Sequence, residues 1–291
     1  HGLVANSEIG TSVRLAAFEA LAQSGGEDLL TAVRTARSSS VDSLREKASL
    51  SQAGLPVDEA IQLFQMDLKE DSIGLRRAAL RGLAVVEDPR AGRILESWLD
   101  RLLGGNVVNE LVLDVLDAAA ESSYEPLAAK AQEYEQGRAL DDRFALYREV
   151  LYGGDPEKGR KLYEERLDLA CARCHRLGDL GGDVGPNLAG IGLRLSREKL
   201  LQSILYPNDE ISPGFESVSV ELREGGFYAG IVKDENDSEL ILSSLEDGEM
   251  TFAKADISSR SVGLSAMPEQ LINMLTKQDL RDLIEFLSGL K

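Results

Sequence analysis

The chain has very little cysteine and histidine, and this scarcity restricts the chemistry open to it. Its 291 residues include two cysteines, Cys171 and Cys174, and two histidines, His1 and His175. Two thiols this close together cannot build a disulfide framework for a chain of this length. A structural zinc site needs about four Cys or His ligands. This chain has two of each, and one of the histidines is the terminal His1. The composition therefore argues against both kinds of stabilisation.

The chain also lacks long apolar runs and any excess of positive charge. No segment approaches the roughly 20 apolar residues that a membrane-spanning helix needs. The formal net charge is −18, from 32 basic and 50 acidic residues. Nucleic acids and anionic lipid surfaces attract clustered Lys and Arg, so we expect neither as a partner, and no direct membrane insertion. The acidity suits a basic protein partner or serves solubility alone.

Both cysteines belong to one short motif, Cys171-Ala-Arg-Cys174-His175, which is the C-x-x-C-H pattern of c-type haem attachment. The spacing places the two thiols one helical turn apart, as attachment to both vinyl groups of one porphyrin requires. The following histidine then lies under the iron as its proximal ligand. We predict one covalent haem c, held by Cys171 and Cys174, with His175 as a metal ligand.

Three other interpretations of this motif are a redox-active dithiol, half of a zinc site and a plain disulfide. A thioredoxin-like C-x-x-C follows a strand in a βαβ unit, and the residues before Cys171 do not have that pattern. The composition argues against zinc. Haem attachment is therefore the favoured interpretation.

Residues 1–150 show helical periodicity throughout, without strand alternation. Short loops marked by Gly or Pro separate the helical segments, and helix pairs recur about every 30 to 45 residues, as in an α-solenoid. Residues 74–91 resemble a HEAT repeat with its inter-helix turn. We predict a HEAT-like helical repeat domain over 1–150, with an irregular α bundle as the alternative. Its only tryptophan, Trp98, is expected in the core.

The second half begins with helical signals and a glycine-rich loop. Asp155 is a predicted N-cap with Pro156 at the first helical position, and this helix leads into the haem motif. Five glycines in residues 181–192 indicate a loop lying close to a flat object, because glycine lets the backbone approach closely. The loop lacks the G-K-[ST] ending of a phosphate-binding loop. Further helices are predicted after the caps Ser196 and Thr276.

Between residues 215 and 262 the periodicity changes from 3.6 to 2. Alternating segments separated by turn residues predict a small antiparallel β insertion of about four strands. The segment is strongly acidic, with 4 basic and 11 acidic residues. It could recognise a basic partner or cap one edge of the haem.

Met267 is the candidate for the sixth iron ligand. It lies in a Met-Pro sequence between the haem motif and the last amphipathic helix, whereas the other methionines fall in predicted helices or strands or in the first half. A thioether opposite histidine raises the reduction potential and closes the iron to other ligands. The alternative role for Met267 is core filler.

The second half resembles the planctomycete-type haem-binding c-type cytochrome domain, a class I cytochrome c-like fold. The elements that carry the resemblance are C-A-R-C-H, G-G-D-V-G-P-N-L-A-G-I-G, S-I-L-Y-P-N-D-E-I, the β segment, S-A-M-P-E and the final helix. The resemblance implies a mainly α protein with a cytochrome c haem domain over 151–291, often preceded by HEAT-like repeats. It also implies that the Pro186 carbonyl accepts a hydrogen bond from His175 and so orients it.

The resemblance does not by itself establish a reaction, and our leading hypothesis is a monohaem module for single-electron transfer, with the helical repeats as docking surface or spacer. The expected partner is another redox protein, such as a dehydrogenase. Alternatives are a gas sensor or redox enzyme with an open distal site, and a partner-binding scaffold with structural haem. No catalytic residues are assigned, and an electron-transfer module is favoured over a catalyst.

Two expectations concern the origin of the chain. Bacteria attach haem c outside the cytoplasmic membrane, so we expect a periplasmic or otherwise exported protein. Because the chain starts with His1 rather than Met, we expect a processed form or a fragment.

Overall fold

The structure is a computed structural model that describes residues 1–138 and 142–291. The chain divides into two compact units, His1–Leu140 and Asp141–Lys291. The described part of the first unit is helical, and the second unit combines helices with one antiparallel sheet. A mainly helical protein with a small β part is thus confirmed. Among the described residues, no helix is long and apolar enough to cross a membrane.

The first unit consists of α-helices joined by short loops and 3-10 turns. The helices are α1 Gly2–Ala5, α2 Thr11–Ser24, α3 Gly26–Arg37, α4 Asp42–Ser51, α5 Val57–Asp67, α6 Ile73–Ala84, α7 Pro89–Leu103, α8 Val112–Glu121 and α9 Pro126–Gln136. Helix α4 packs against α6 and α6 against α8, while α7 packs against α9. Trp98 is buried in the shared apolar core, as predicted. The HEAT-type solenoid stays a prediction.

Buried charged groups connect the helices of the first unit. Asp67, at the end of α5, is 1% exposed and forms an ion pair with Arg37 from α3. Its other carboxylate oxygen accepts hydrogen bonds from Ser49 at 2.7 Å and Gln52 at 2.9 Å. A buried carboxylate needs such partners because its desolvation is costly. The network joins α3, α4, the 3-10 turn Gln52–Gly54 and α5.

The second unit places helices and strands around the haem motif. The helices are α10 Pro156–Glu165, α11 Cys171–Cys174, α12 Ile191–Arg194, α13 Arg197–Leu205 and α14 Lys277–Gly289, and 3-10 turns span Ala145–Val150, Lys254–Asp256 and Glu269–Met274. The Ala145–Val150 turn packs against α14, so the compact unit begins before residue 150. The N-caps Asp155, Ser196 and Thr276 accept backbone hydrogen bonds at their helix starts, as predicted.

Helices α10 and α14 cross closely because glycine leaves room at the contact. A Cβ at Gly159 would lie 2.0 Å from the carbonyl oxygen of Asp282, and a Cβ at Gly154 would lie 2.3 Å from that of Arg281. Next to this contact the rings of Tyr163 and Phe286 pack with centroids 5.8 Å apart. The crossing forms one side of the cavity around the haem motif.

The β insertion is a five-stranded sheet, one strand more than expected. The strands are β1 Glu216–Leu222, β2 Phe227–Glu235, β3 Glu239–Ser244, β4 Gly248–Ala253 and β5 Ile257–Ser265, in the antiparallel order β4-β3-β2-β1-β5. Its core contains Val218, Val220, Leu240, Leu242 and Phe252. Strand β5 is mostly exposed and rich in serine, so it lacks the apolar alternation on which strand prediction depends.

Candidate functional site

One cavity in the second unit brings together the five residues that the sequence singled out. It has a volume of about 210 Å³, and its lining includes Cys171, Cys174, His175, Pro186 and Met267. Most of the remaining wall is apolar, with Leu169, Ile191, Leu200, Ile204, Leu283 and Leu287 among its residues. An apolar cavity with a few placed polar groups is typical of a cofactor site. Its lining and its two thiols fit a porphyrin.

The haem motif begins at an unusual backbone position. Ala170 has a φ of +55°, and the short helix α11, Cys171–Cys174, starts directly after it. Both cysteines are free thiols, and both line the cavity. Left-handed backbone at a non-glycine residue is strained and tends to mark functional sites. The strained position at Ala170 thus lies next to the two thiols that line the cavity.

The protonation of the two thiols argues against dithiol redox chemistry. Burial raises the pKa of Cys171 to about 11, and burial also raises the pKa of Cys174. Redox-active dithiols need a lowered pKa, because the thiolate is the attacking species. Neutral, half-buried thiols at this site are poorly suited to disulfide exchange.

His175 is held by hydrogen bonds on both its ring and its backbone. Its Nδ1 lies 2.8 Å from the carbonyl oxygen of Pro186. A carbonyl can only accept, so Nδ1 carries the proton and Nε2 keeps a lone pair. The hydroxyl of Tyr163 donates to the His175 carbonyl at 2.7 Å. Burial lowers the pKa of His175, which favours the neutral imidazole that a metal ligand must be.

The glycine-rich loop packs against the haem motif itself. A Cβ at Gly185 would lie 2.7 Å from Cε1 of His175, one at Gly182 would lie 1.9 Å from the carbonyl oxygen of Arg173, and one at Gly181 would lie 2.2 Å from that of His175. Gly181 also has a φ of +107°. These three glycines give room to the polypeptide of the motif, and Gly185 also lines the cavity. The expectation that the loop lies close to a flat object stays a prediction.

Met267 lies on the cavity wall in the segment between β5 and the Glu269–Met274 turn. Its side chain is half-buried, and its backbone N–H donates to Oγ of Ser265 at 3.1 Å. Asn208, which follows α13, contacts the residues on both sides of it: its Oδ1 accepts from the Ser265 N–H at 2.8 Å and its Nδ2 donates to Glu269 at 2.5 Å. Neither Asn208 nor Ser265 was singled out from the sequence, although both lie in segments that carry the resemblance.

The β sheet is joined to the glycine-rich loop by an ion pair. Nζ of Lys233 on β2 lies 2.8 Å from the carboxylate of Asp183 and donates to the Asp183 carbonyl at 2.9 Å. Lys233 lowers the pKa of that carboxyl. The two residues are 50 positions apart and belong to no common motif, so sequence reasoning had no means of pairing them.

A haem iron needs fewer protein ligands than an isolated metal ion does, because the porphyrin supplies four ligands. In the described ranges 1–138 and 142–291, no group of three or more His, Cys, Asp and Glu side chains could hold a metal ion. His175 and Met267 both line the cavity, and an imidazole nitrogen and a thioether sulfur are donors that a haem iron can accept. The donor set thus fits a haem.

Comparison with known families supports the same interpretation. Residues 154–221 match the family model described as cytochrome c oxidase, cbb3-type, subunit III. The match includes Cys171, Cys174, His175 and Pro186, and it ends before most of the sheet and before Met267. No curated protein matches the chain. The match therefore supports a c-type cytochrome domain in residues 154–221, and that family implies covalently bound haem c and suggests haem-based electron transfer.

Proposed function

We propose that the second unit is a monohaem electron-transfer module. Cys171 and Cys174 would hold one haem c covalently, and His175 and Met267 would ligate its iron. The observation that carries the proposal is the convergence of these four side chains and Pro186 on one mostly apolar cavity. When bound, the haem supplies a one-electron Fe(III)/Fe(II) couple.

The protein's own part is to orient the ligands and to restrict access to the iron. The hydrogen bond from His175 Nδ1 to the Pro186 carbonyl leaves Nε2 as the ligating atom and increases the basicity of the ring. A Met267 thioether ligand would raise the reduction potential and exclude exogenous ligands. These two effects together favour electron transfer over catalysis at the iron.

The partner and location belong to the same proposal. The helical first unit would serve as a HEAT-like docking surface or spacer, because stacked helices offer an extended surface. The partner would be another redox protein, such as a dehydrogenase. Because haem c is attached outside the bacterial cytoplasmic membrane, the protein would act in the periplasm or another exported location.

The proposal can be tested on the full chain, expressed with a cytochrome c maturation system. We expect one haem per chain that stays attached on a denaturing gel, and a reversible redox titration with a single one-electron wave. The double variant Cys171→Ala, Cys174→Ala should lose the attached haem. A wild-type chain without covalent haem, or with more than one, would contradict the proposal.

A further inference from the structure

The side chain of Asn208 connects the two ends of the segment that carries Met267. Ser265 precedes Met267 by two positions and Glu269 follows it by two. The amide of Asn208 contacts both of them. We infer that Asn208 is a positioning residue for Met267, which keeps its thioether directed at the haem iron. This inference rests on the proposed function, in which Met267 is the distal ligand.

The contacts form a continuous chain of hydrogen bonds to Met267. Oδ1 of Asn208 accepts from the backbone N–H of Ser265 at 2.8 Å, and Oγ of Ser265 accepts from the backbone N–H of Met267 at 3.1 Å. On the other side, Nδ2 of Asn208 donates to Oε1 of Glu269 at 2.5 Å. Both functional groups of one amide are therefore used across a single loop.

Asn208 is itself attached to a wall of the same cavity. It comes directly after the buried Pro207, three positions beyond the last residue of helix α13. Residues of that helix, among them Leu200 and Ile204, line the cavity. The N–H of Asp209 donates back to the Tyr206 carbonyl at 3.1 Å, which closes the turn that carries Asn208. The Met267 segment is thereby connected to α13 rather than to the sheet alone.

The segment that carries Met267 needs such support because its own backbone forms no regular secondary structure. Strand β5 ends at Ser265 and the next 3-10 turn begins at Glu269, so the residues between them belong to neither element. Pro268 has no backbone N–H to donate, and Ala266 and Pro268 are exposed. A methionine on a segment without regular structure can swing away from a metal unless other contacts hold it. The Asn208 amide supplies contacts on both of its flanks.

The test measures the distal site of the loaded, full-length protein. We compare wild type, Asn208→Ala, Met267→Ala and the control Asn236→Ala, which removes an asparagine that accepts backbone hydrogen bonds in a turn of the sheet. The readouts are the Met–iron charge-transfer band, the rate of carbon monoxide binding to the reduced protein, and the thermal unfolding temperature.

At a temperature where the protein is folded, we expect Asn208→Ala to weaken the charge-transfer band and to speed carbon monoxide binding by about tenfold or more. The reason is that removing the Asn208 amide breaks the two hydrogen bonds that flank Met267. Asn236→Ala should resemble wild type. An Asn208→Ala protein that keeps the wild-type band and ignores carbon monoxide overturns the inference, whatever its unfolding temperature, since a purely structural role would lower only that temperature.

Two further variants cover the case in which Asn208→Ala does not fold. Asn208→Asp keeps the acceptor for Ser265 but places a carboxylate against Glu269, and Ser265→Ala removes only the acceptor for Met267. Both should open the distal site partly, and wild-type behaviour in both overturns the inference.

If Met267→Ala itself leaves the band unchanged, Met267 is not the ligand and the proposed function fails with it. If Met267→Ala opens the iron and the Asn208 variants do not, the positioning role alone fails.

Discussion

At the scale of single residues, the orientation of His175 depends on the absence of a side chain at Gly185. An added Cβ would lie 2.7 Å from Cε1 and 2.8 Å from Nδ1 of the imidazole. Real Cβ atoms do not approach so closely, so the ring would have to move away from its hydrogen bond with Pro186. The orientation of the proximal ligand is therefore sensitive to the smallest substitution at this position.

Gly185→Ala should lower the yield of low-spin holoprotein and raise the reduction potential of what forms. The potential should rise because a weaker bond from Nδ1 makes the imidazole a poorer donor to ferric iron. Gly289→Ala is the control, since a Cβ there meets nothing within 4 Å. Spectra and redox titrations of the two variants provide the comparison. Equal yields and potentials would show that the ring does not depend on Gly185.

The buried carboxyl of Asp282 makes the stability of the second unit depend on pH. Burial raises the pKa of Asp282, although the Asp155 N–H donates to its carboxylate at 2.7 Å. The Asp282 carboxyl therefore keeps its proton to higher pH in the folded state than in the unfolded state. Its contribution to the free energy of unfolding falls as pH rises from the unfolded pKa through the folded pKa. Asp282→Asn keeps an acceptor and removes the buried charge.

Asp282→Asn should therefore raise the unfolding temperature at about pH 7, and raise it less at about pH 3, below the unfolded pKa. Thermal unfolding of wild type and variant at both pH values measures the effect. The exposed Asp237→Asn is the control. A loss of stability at neutral pH would mean that the charge of Asp282 is needed in the fold.

At the scale of secondary-structure elements, the crossing of α10 and α14 shapes the cavity. Gly159→Ala adds a methyl group that would lie 2.0 Å from the Asp282 carbonyl oxygen. Helix propensity favours the change by about 1 kcal/mol, but forcing two backbones apart costs roughly 1 to 3 kcal/mol or more. We expect a net loss of stability in chemical denaturation, whereas Gly289→Ala should not lose stability. A neutral Gly159→Ala would show that the crossing has spare room.

The helices of the first unit depend on the buried carboxylate of Asp67. Asp67→Ala leaves Arg37 without this partner and removes the acceptor of Ser49 and Gln52. Breaking a buried ion pair costs about 3 to 5 kcal/mol, whereas Ser49→Ala should cost about 1 kcal/mol. Chemical denaturation of both variants measures the difference. Equal, small losses would contradict a central role for the network.

Sequence patterns predicted elements well where one face is apolar and poorly where it is not. In α14 the spacing of four apolar residues predicts one buried stripe, and the structure buries all of them: Leu280, Leu283, Ile284 and Leu287. On α2 the apolar spacing of Val13, Ala16 and Ala20 indicates a helix but not its buried face, since Val13 is 53% exposed. Arg14 and Phe18 are buried instead. Arg14 can be buried because it donates to the Val4 carbonyl and to Ser39 Oγ, both at 3.0 Å. Such partners are invisible to periodicity.

The candidate site shows the same division. The thiols and His175 are contiguous, so their chemistry follows from spacing alone. Pro186 and Met267 required the order of motifs along the chain. Asn208 and Lys233 act on residues 57 and 50 positions away, and only the folded chain brings those pairs together. Long-range supporting contacts of this kind carry no local pattern.

At the scale of the whole molecule, the net charge of −18 should govern encounters with redox partners. Opposite charges steer association, and salt screens them over a Debye length of about 10 Å at 0.1 M. We expect electron exchange with a small basic redox protein to slow as ionic strength rises, and exchange with an acidic one to quicken. Stopped-flow rates across a salt series test this. Rates independent of salt would exclude electrostatic docking.

In the proposed function, His175 and Met267 both ligate one covalent haem. The visible spectrum of the oxidised and reduced full-length protein, with and without carbon monoxide, distinguishes this arrangement from an open iron when wild type, Met267→Ala and the control Met274→Ala are compared. We predict a low-spin wild type that carries the Met–iron charge-transfer band and ignores carbon monoxide. Met274→Ala should behave like wild type, whereas Met267→Ala should bind carbon monoxide. A high-spin wild type that binds carbon monoxide at once would contradict the claim and favour a sensor or a catalyst.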